Sequence, residues 1–158
     1  MYKIYHLIGV SIDAKNSVDQ LDDTQLMKVV ERDKDRYLEL GRACIPHEEQ
    51  DQISDADMVR LAIAKYNLYN QVAVNIIRQM VYRHNWIRCY MGMPAGGSEW
   101  DIESEEQLLV VGVQAHEILL GLNMTRDKFT EWFVDHLNTL GLGPVSKNDI
   151  KYFHLVEM

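Results

Sequence analysis

The 158-residue chain has only two cysteines, Cys44 and Cys89, at a spacing that offers neither a metal motif nor a disulfide framework. Both read as reduced thiols, which predicts a soluble cytoplasmic protein. No run approaches the ~18 apolar residues that a membrane-spanning helix needs. The segment from Tyr2 to Ile12 is apolar but lacks a small-residue cleavage site, which predicts no signal peptide. Internal repeats and low-complexity tracts are absent as well. The chain has no excess of positive charge. A net charge of −8 argues against general affinity for nucleic acid or anionic membrane.

Two local absences are more informative. From Ser54 to Met91 there is neither glycine nor proline, so nothing obvious interrupts a helix. From Met58 to Ser98 there is neither Asp nor Glu, while Arg60, Lys65, Arg78, Arg83 and Arg88 are present. Acidic helices packed on a basic central one account for this most simply.

What is present over Ser54–Met91 reads as one long central helix. Ser54 and Asp57 form a capping box, and Gly92, Pro94, Gly96 and Gly97 supply the stop. At 1.5 Å per residue such a helix would span roughly 55 Å, more than the ~40 Å diameter of a globule of this length. Either it kinks, near Asn67 or Asn85, or part of it projects. Met58, Ala62, Tyr69, Ile76, Met80 and Ile87 fall on one side, with Leu61, Leu68, Val72 and Trp86 extending the apolar surface. Only a narrow polar seam remains, formed by Arg60, Asn67, Gln71, Arg78 and Asn85, and an anion-binding role is conceivable for Arg60, Asn67, Gln71 and Arg78. A helix apolar over most of its circumference is a buried helix, and a second copy is the simplest cover. These readings predict a homodimer acting through protein–protein interaction, without catalysis or cofactor.

The remaining chain fits one helical domain spanning 1–158. A helix is expected from Ser17 or Thr24 to Leu40, with Gly41 as its stop, then a loop through Pro46. The glycine-rich stretch 92–98 ends a helix and no Lys follows, so it is a connection and not a phosphate loop. A third helix should start at the box Ser104–Gln107 and carry Leu108, Val111, Ala115, Ile118, Leu119 and Leu122, with Gly112 allowing close helix approach. A fourth begins after Thr125 and buries Phe129, Trp132, Phe133, Leu137 and Leu140. Ser146 opens a short final helix. Tyr2–Ile12 and Ile150–Val156 fit either helix or strand. The fold class is therefore all-α, a helical bundle around one long central helix. The alternative is a mainly α fold with a small two-stranded sheet of the N- and C-terminal segments.

Three constellations could carry chemistry. Glu103 and Glu106, and Glu131 and Asp135, each lie about one helical turn apart, and two such pairs could hold Mg²⁺. This arrangement resembles the all-α nucleoside triphosphate pyrophosphohydrolases of the MazG type, which hold Mg²⁺ through ExxE and ExxD motifs. The resemblance implies a Mg²⁺-dependent nucleotide hydrolase. The plainer reading, which we favour, makes Glu103 and Glu106 partners of the helix dipole and Glu131 and Asp135 surface residues. Secondly, Arg78 followed by His84 resembles the short Arg–His pattern of HEPN-type RNases, which are all-α dimers. It implies an Arg holding phosphate and a His moving a proton. On a straight helix, however, the two point apart. Thirdly, His116 and His136 lie among apolar residues of successive helices, where core histidines are commoner than metal ligands.

Overall fold

The computed structural model describes residues 3–94, 107–118 and 124–157. The chain divides into two compact units, one of Asp13–Ile76 and the other of the N-terminal segment through Ile12 together with everything from Ile77 onward. Among the described residues no helix is long and apolar enough to cross a membrane.

The unit Asp13–Ile76 is helical. Its elements are α1 (Ala14–Asp19), α2 (Asp23–Val29), α3 (Lys34–Arg42) and α4 (Asp55–Tyr66), with one 3-10 segment between α2 and α3 and another between α3 and α4, and the first part of α5 (Tyr69–Val81). Local chemistry sets the starts. Asp13 accepts the Asn16 amide, and Asp22 with Gln25 makes a reciprocal capping box. Leu26, Val59, Ala62, Val72 and Ala73 are fully buried, with Val18, Val30 and Ile63 nearly so. Gly41, expected to stop a helix, lies inside α3. A Cβ there would come within 2.7 Å of Met58 Cγ, so its bareness is what lets α3 meet α4.

The long central helix does not exist. Ser54 caps α4 as expected, its Oγ accepting the Asp57 amide at 3.2 Å, but α4 ends at Asn67. This residue adopts the left-handed conformation (φ 51°, ψ 56°), and the next amide, of Leu68, returns to the Ile63 carbonyl at 2.9 Å. Asparagine tolerates that conformation better than most residues, because its short polar side chain can bond locally. α4 and α5 are thus ~18 and ~20 Å long, ordinary for a small domain. The last residues of the expected helix, Arg88–Met91, lie in a strand.

The other unit corrects the all-α expectation outright. Four strands, β1 (Lys3–Ser11), β2 (Arg88–Pro94), β3 (Leu108–Gln114) and β4 (Lys151–Glu157), form a closed antiparallel barrel in the order β1-β3-β2-β4. The first and last segments do pair, from Lys3 opposite Glu157 to Gly9 opposite Lys151, but as two strands of four. β1 and β2 run parallel with β3 antiparallel between them, the connectivity of a split β-α-β unit. Among the described residues β2 meets β4 at Met93–Val156 and Pro94–Leu155. Proline suits that strand end, where it has no ladder hydrogen bond to donate.

Four strands enclose very little space, and the inward side chains show how it is filled. Leu7, Tyr90, Val110 and Leu155 form the interior, with Tyr5, Leu108 and Phe153 packed against them. Where strands come closest the inward residue is glycine. Gly9 faces Gly112 across β1 and β3, and a Cβ on Gly112 would sit 2.7 Å from the Ile8 carbonyl oxygen. One on Gly92 would sit equally close to the Val156 carbonyl oxygen. The close approach anticipated at Gly112 is therefore strand to strand, not helix to helix.

α6 (Ala115–Glu117) follows β3 directly, and α7 (Arg126–Thr139) is capped by Thr125 as predicted, burying Phe129, Phe133 and Leu137 at a spacing of four, while Trp132 and Leu140, also expected to be buried, are only half-buried. After Ser146 only one 3-10 turn, Lys147–Asp149, precedes β4.

Candidate functional site

The barrel unit carries a cleft of about 580 Å³, within the range typical of small-molecule pockets. Its wall is built by short-range rules. Arg78 lies in the last turn of α5. Three residues beyond that helix, the His84 amide bonds back to the Val81 carbonyl at 2.8 Å. The His84 ring then accepts the amides of Trp86 and Ile87 on Nδ1 at 3.1 and 3.2 Å. That side chain closes the turn which launches β2, and alternation along β2 places Arg88 and Tyr90 on one face and Cys89 on the other. Tyr5 of β1 and Glu157 of β4 complete the wall.

The cleft is aromatic and cationic. The Tyr5 and Tyr90 rings stand 5.0 Å apart at 54°. Tyr90 is buried, which pushes its phenol up, and its hydroxyl accepts from Gln114 Nε2 at 3.4 Å. The Tyr5 hydroxyl donates to Glu157 at 2.8 Å. Tyr82 stands at the rim, 70% exposed, its oxygen held by Arg83 Nε at 2.7 Å. Among the described residues neither Arg78 nor Arg88 has a carboxylate within ion-pair distance. Among the described residues the one carboxylate in the lining, Glu157, is engaged by Tyr5.

The groups able to move protons are constrained. With Nδ1 accepting two amides, neutral His84 carries its proton on Nε2 and offers no second lone pair. Burial, with a smaller contribution from His136, lowers its pKa below the ordinary 6.5. The two rings lie 5.5 Å apart, with Trp132 packed on both. Burial pushes the Cys89 thiol up to about 11 despite the opposing field of Arg78, so it is a poor nucleophile.

The turn after α5 brings Arg78 and His84, expected to point apart, to the same cleft. The polar seam does not survive as one surface. Arg60 donates to the Leu21 carbonyl at 2.9 Å and pairs with Asp23 at 3.1 Å inside the helical unit. Asn67 terminates α4, Gln71 is an exposed residue of α5, and only Arg78 reaches the cleft. Glu103 and Glu106 lie outside the described residues. Glu131 is exposed and paired with Lys147 at 3.1 Å, and Asp135 is exposed. Among the described residues no group of three or more His, Cys, Asp or Glu could hold a metal ion. His116 is exposed, and His136 bonds the Trp132 carbonyl through Nδ1 at 2.9 Å.

Sequence reasoning missed Tyr5, Tyr90 and the cleft-lining role of Arg88. Arg88 and Tyr90 had one signal, the alternation Arg88-Cys89-Tyr90-Met91, which a helical reading conceals, and Tyr5 lies in a segment that fits helix and strand alike. Compared with known proteins, the chain matches no family model, no curated protein and no solved structure.

Proposed function

We propose that the protein binds a small organic anion, a phosphate or carboxylate borne on a planar ring, in the cleft of its barrel unit. The observation that carries this reading is the pairing of two guanidiniums, Arg78 and Arg88, which have no counter-ion among the described residues, with the tyrosine rings of Tyr5, Tyr82 and Tyr90. A guanidinium matches a carboxylate or phosphate through its planar fork, and phenol rings favour a planar group beside it. Binding is preferred to turnover because His84, Cys89 and Glu157 are each committed elsewhere or protonated. An RNase mechanism would need His84 to give up its turn. A Mg²⁺-dependent hydrolysis would need Glu131 released from Lys147.

Calorimetric titration with nucleoside monophosphates, sugar phosphates and aromatic carboxylates tests this reading. At least one ring-bearing anion should bind, and Arg78→Ala and Arg88→Ala should each weaken it by about tenfold or more, the order expected for a lost charge-assisted hydrogen bond. Equal affinity in the double variant would overturn the assignment, as would absence of binding by every probe at millimolar concentration.

A further inference from the structure

The outer face of the barrel carries a second arrangement that the cleft does not use. His6 of β1 and His154 of β4 are direct cross-strand partners. Both are exposed, and their rings stand edge to face with centroids 4.6 Å apart. Tyr152 packs on His154 at 4.9 Å and is itself 51% exposed, and Ile4, two residues before His6, is 47% exposed. An exposed sheet face usually carries charged residues or threonines, but this one concentrates imidazoles and apolar groups.

We propose that His6 and His154 form a two-histidine site for a divalent transition-metal ion of the imidazole-seeking class, Zn²⁺, Ni²⁺ or Cu²⁺, which clasps the first strand to the last. The separation is compatible with chelation. With metal–nitrogen bonds of about 2.1 Å, each ring centroid stands roughly 3.2 Å from the ion, so a nitrogen–metal–nitrogen angle of about 90° puts the centroids about 4.5 Å apart and a tetrahedral angle about 5.2 Å apart. The observed 4.6 Å falls in that range, and side-chain rotations on an exposed strand turn the two rings from edge-to-face packing toward a common ion. Two protein ligands leave the remaining positions to water. Imidazole selects these ions over Mg²⁺ and Ca²⁺, which require oxygen. The paired strands hold both rings in register, so the second nitrogen binds at high effective concentration. In the unfolded chain the two histidines are distant in sequence and lose that advantage, so the ion favours the folded state.

The test is a Zn²⁺ titration of the whole chain followed through the imidazole resonances, with Mg²⁺ as control, and a thermal melt with and without Zn²⁺. The resonances of His6 and His154 should shift together and saturate at one ion per chain, and Mg²⁺ should move neither. Zn²⁺ should raise the melting temperature by about 3 °C or more. His6→Gln and His154→Gln, both at exposed positions that keep the strands intact, should each weaken binding by about tenfold or more and abolish the rise. Zn²⁺ that shifts other histidines first, or stabilises both variants as it does the parent chain, would overturn the site. So would the absence of any perturbation at millimolar Zn²⁺.

Discussion

Gly9 and Gly112 face each other across β1 and β3, and neither position has room for a side chain. A Cβ on Gly112 would lie 2.7 Å from the Ile8 carbonyl oxygen and 3.1 Å from the Gly9 Cα. These are backbone atoms, which cannot yield without moving a strand. Gly112→Ala should therefore destabilise the chain by about 1–3 kcal/mol, the usual cost of overpacking. Urea denaturation measures it. A loss under ~0.5 kcal/mol would show that the strands part easily there. Truncation of an interior side chain of the barrel, Leu7→Ala, should cost about 2–5 kcal/mol through the cavity it leaves.

Asn67 is the hinge on which the expected long helix fails. Asn67→Gly should leave stability unchanged or raise it slightly, because glycine adopts positive φ freely. Asn67→Ala should cost about 1 kcal/mol, and a β-branched residue more. Thermal melts followed by circular dichroism distinguish them. A stabilising Asn67→Ala would mean that α4 and α5 prefer to fuse.

His84 should make stability depend on pH. Its folded-state pKa is lowered, first by burial and then by His136, so the unfolded chain binds the proton more readily. Stability contributed by the neutral ring is fully present above the unfolded value of about 6.5 and is lost as pH falls from there through the folded pKa. Denaturation midpoints across pH 4–8 should show this decline in the parent chain. In His84→Ala the dependence should flatten and the midpoint at neutral pH should fall, since the Trp86 and Ile87 amides lose their acceptor.

Cys89 should be a sluggish thiol. A pKa of about 11 against an ordinary 9.0 leaves it a roughly hundredfold smaller thiolate fraction at neutral pH. Alkylation by iodoacetamide should therefore be slow, rising steeply only in alkaline solution. Arg78→Ala should slow it further, because the guanidinium lowers the thiol's pKa. Fast neutral-pH labelling of Cys89, located by peptide mass spectrometry, would contradict this.

Legibility followed the range of the forces involved. The caps at Ser54 and Thr125 and the buried stripe of α7 were readable, because each depends on residues within a turn or two. β3 was not. Leu108–Gln114 is buried on both faces, inside the barrel and outside it, and such a strand has no alternation to distinguish it from a buried helix. β2 was hidden by the absence of glycine and proline before Gly92, because the turn between α5 and β2 is closed by a histidine ring accepting two amides. The cleft shared this fate. Arg78 and His84 were legible as a pair, while Tyr5 and Tyr90 meet only once β1 and β2 are known to be strands of one barrel.

The sequence by itself determined where several helices begin, which side chains they bury and that positive charge concentrates between Arg60 and Arg88, since these follow from neighbours within four residues or from composition. Tertiary structure alone decided that the chain's first and last strands pair, that glycines meet where the barrel narrows and that two arginines share a cleft with three tyrosines. Those outcomes rest on hydrogen bonds and steric room between segments distant in sequence, and no local pattern encodes which distant segment supplies the partner.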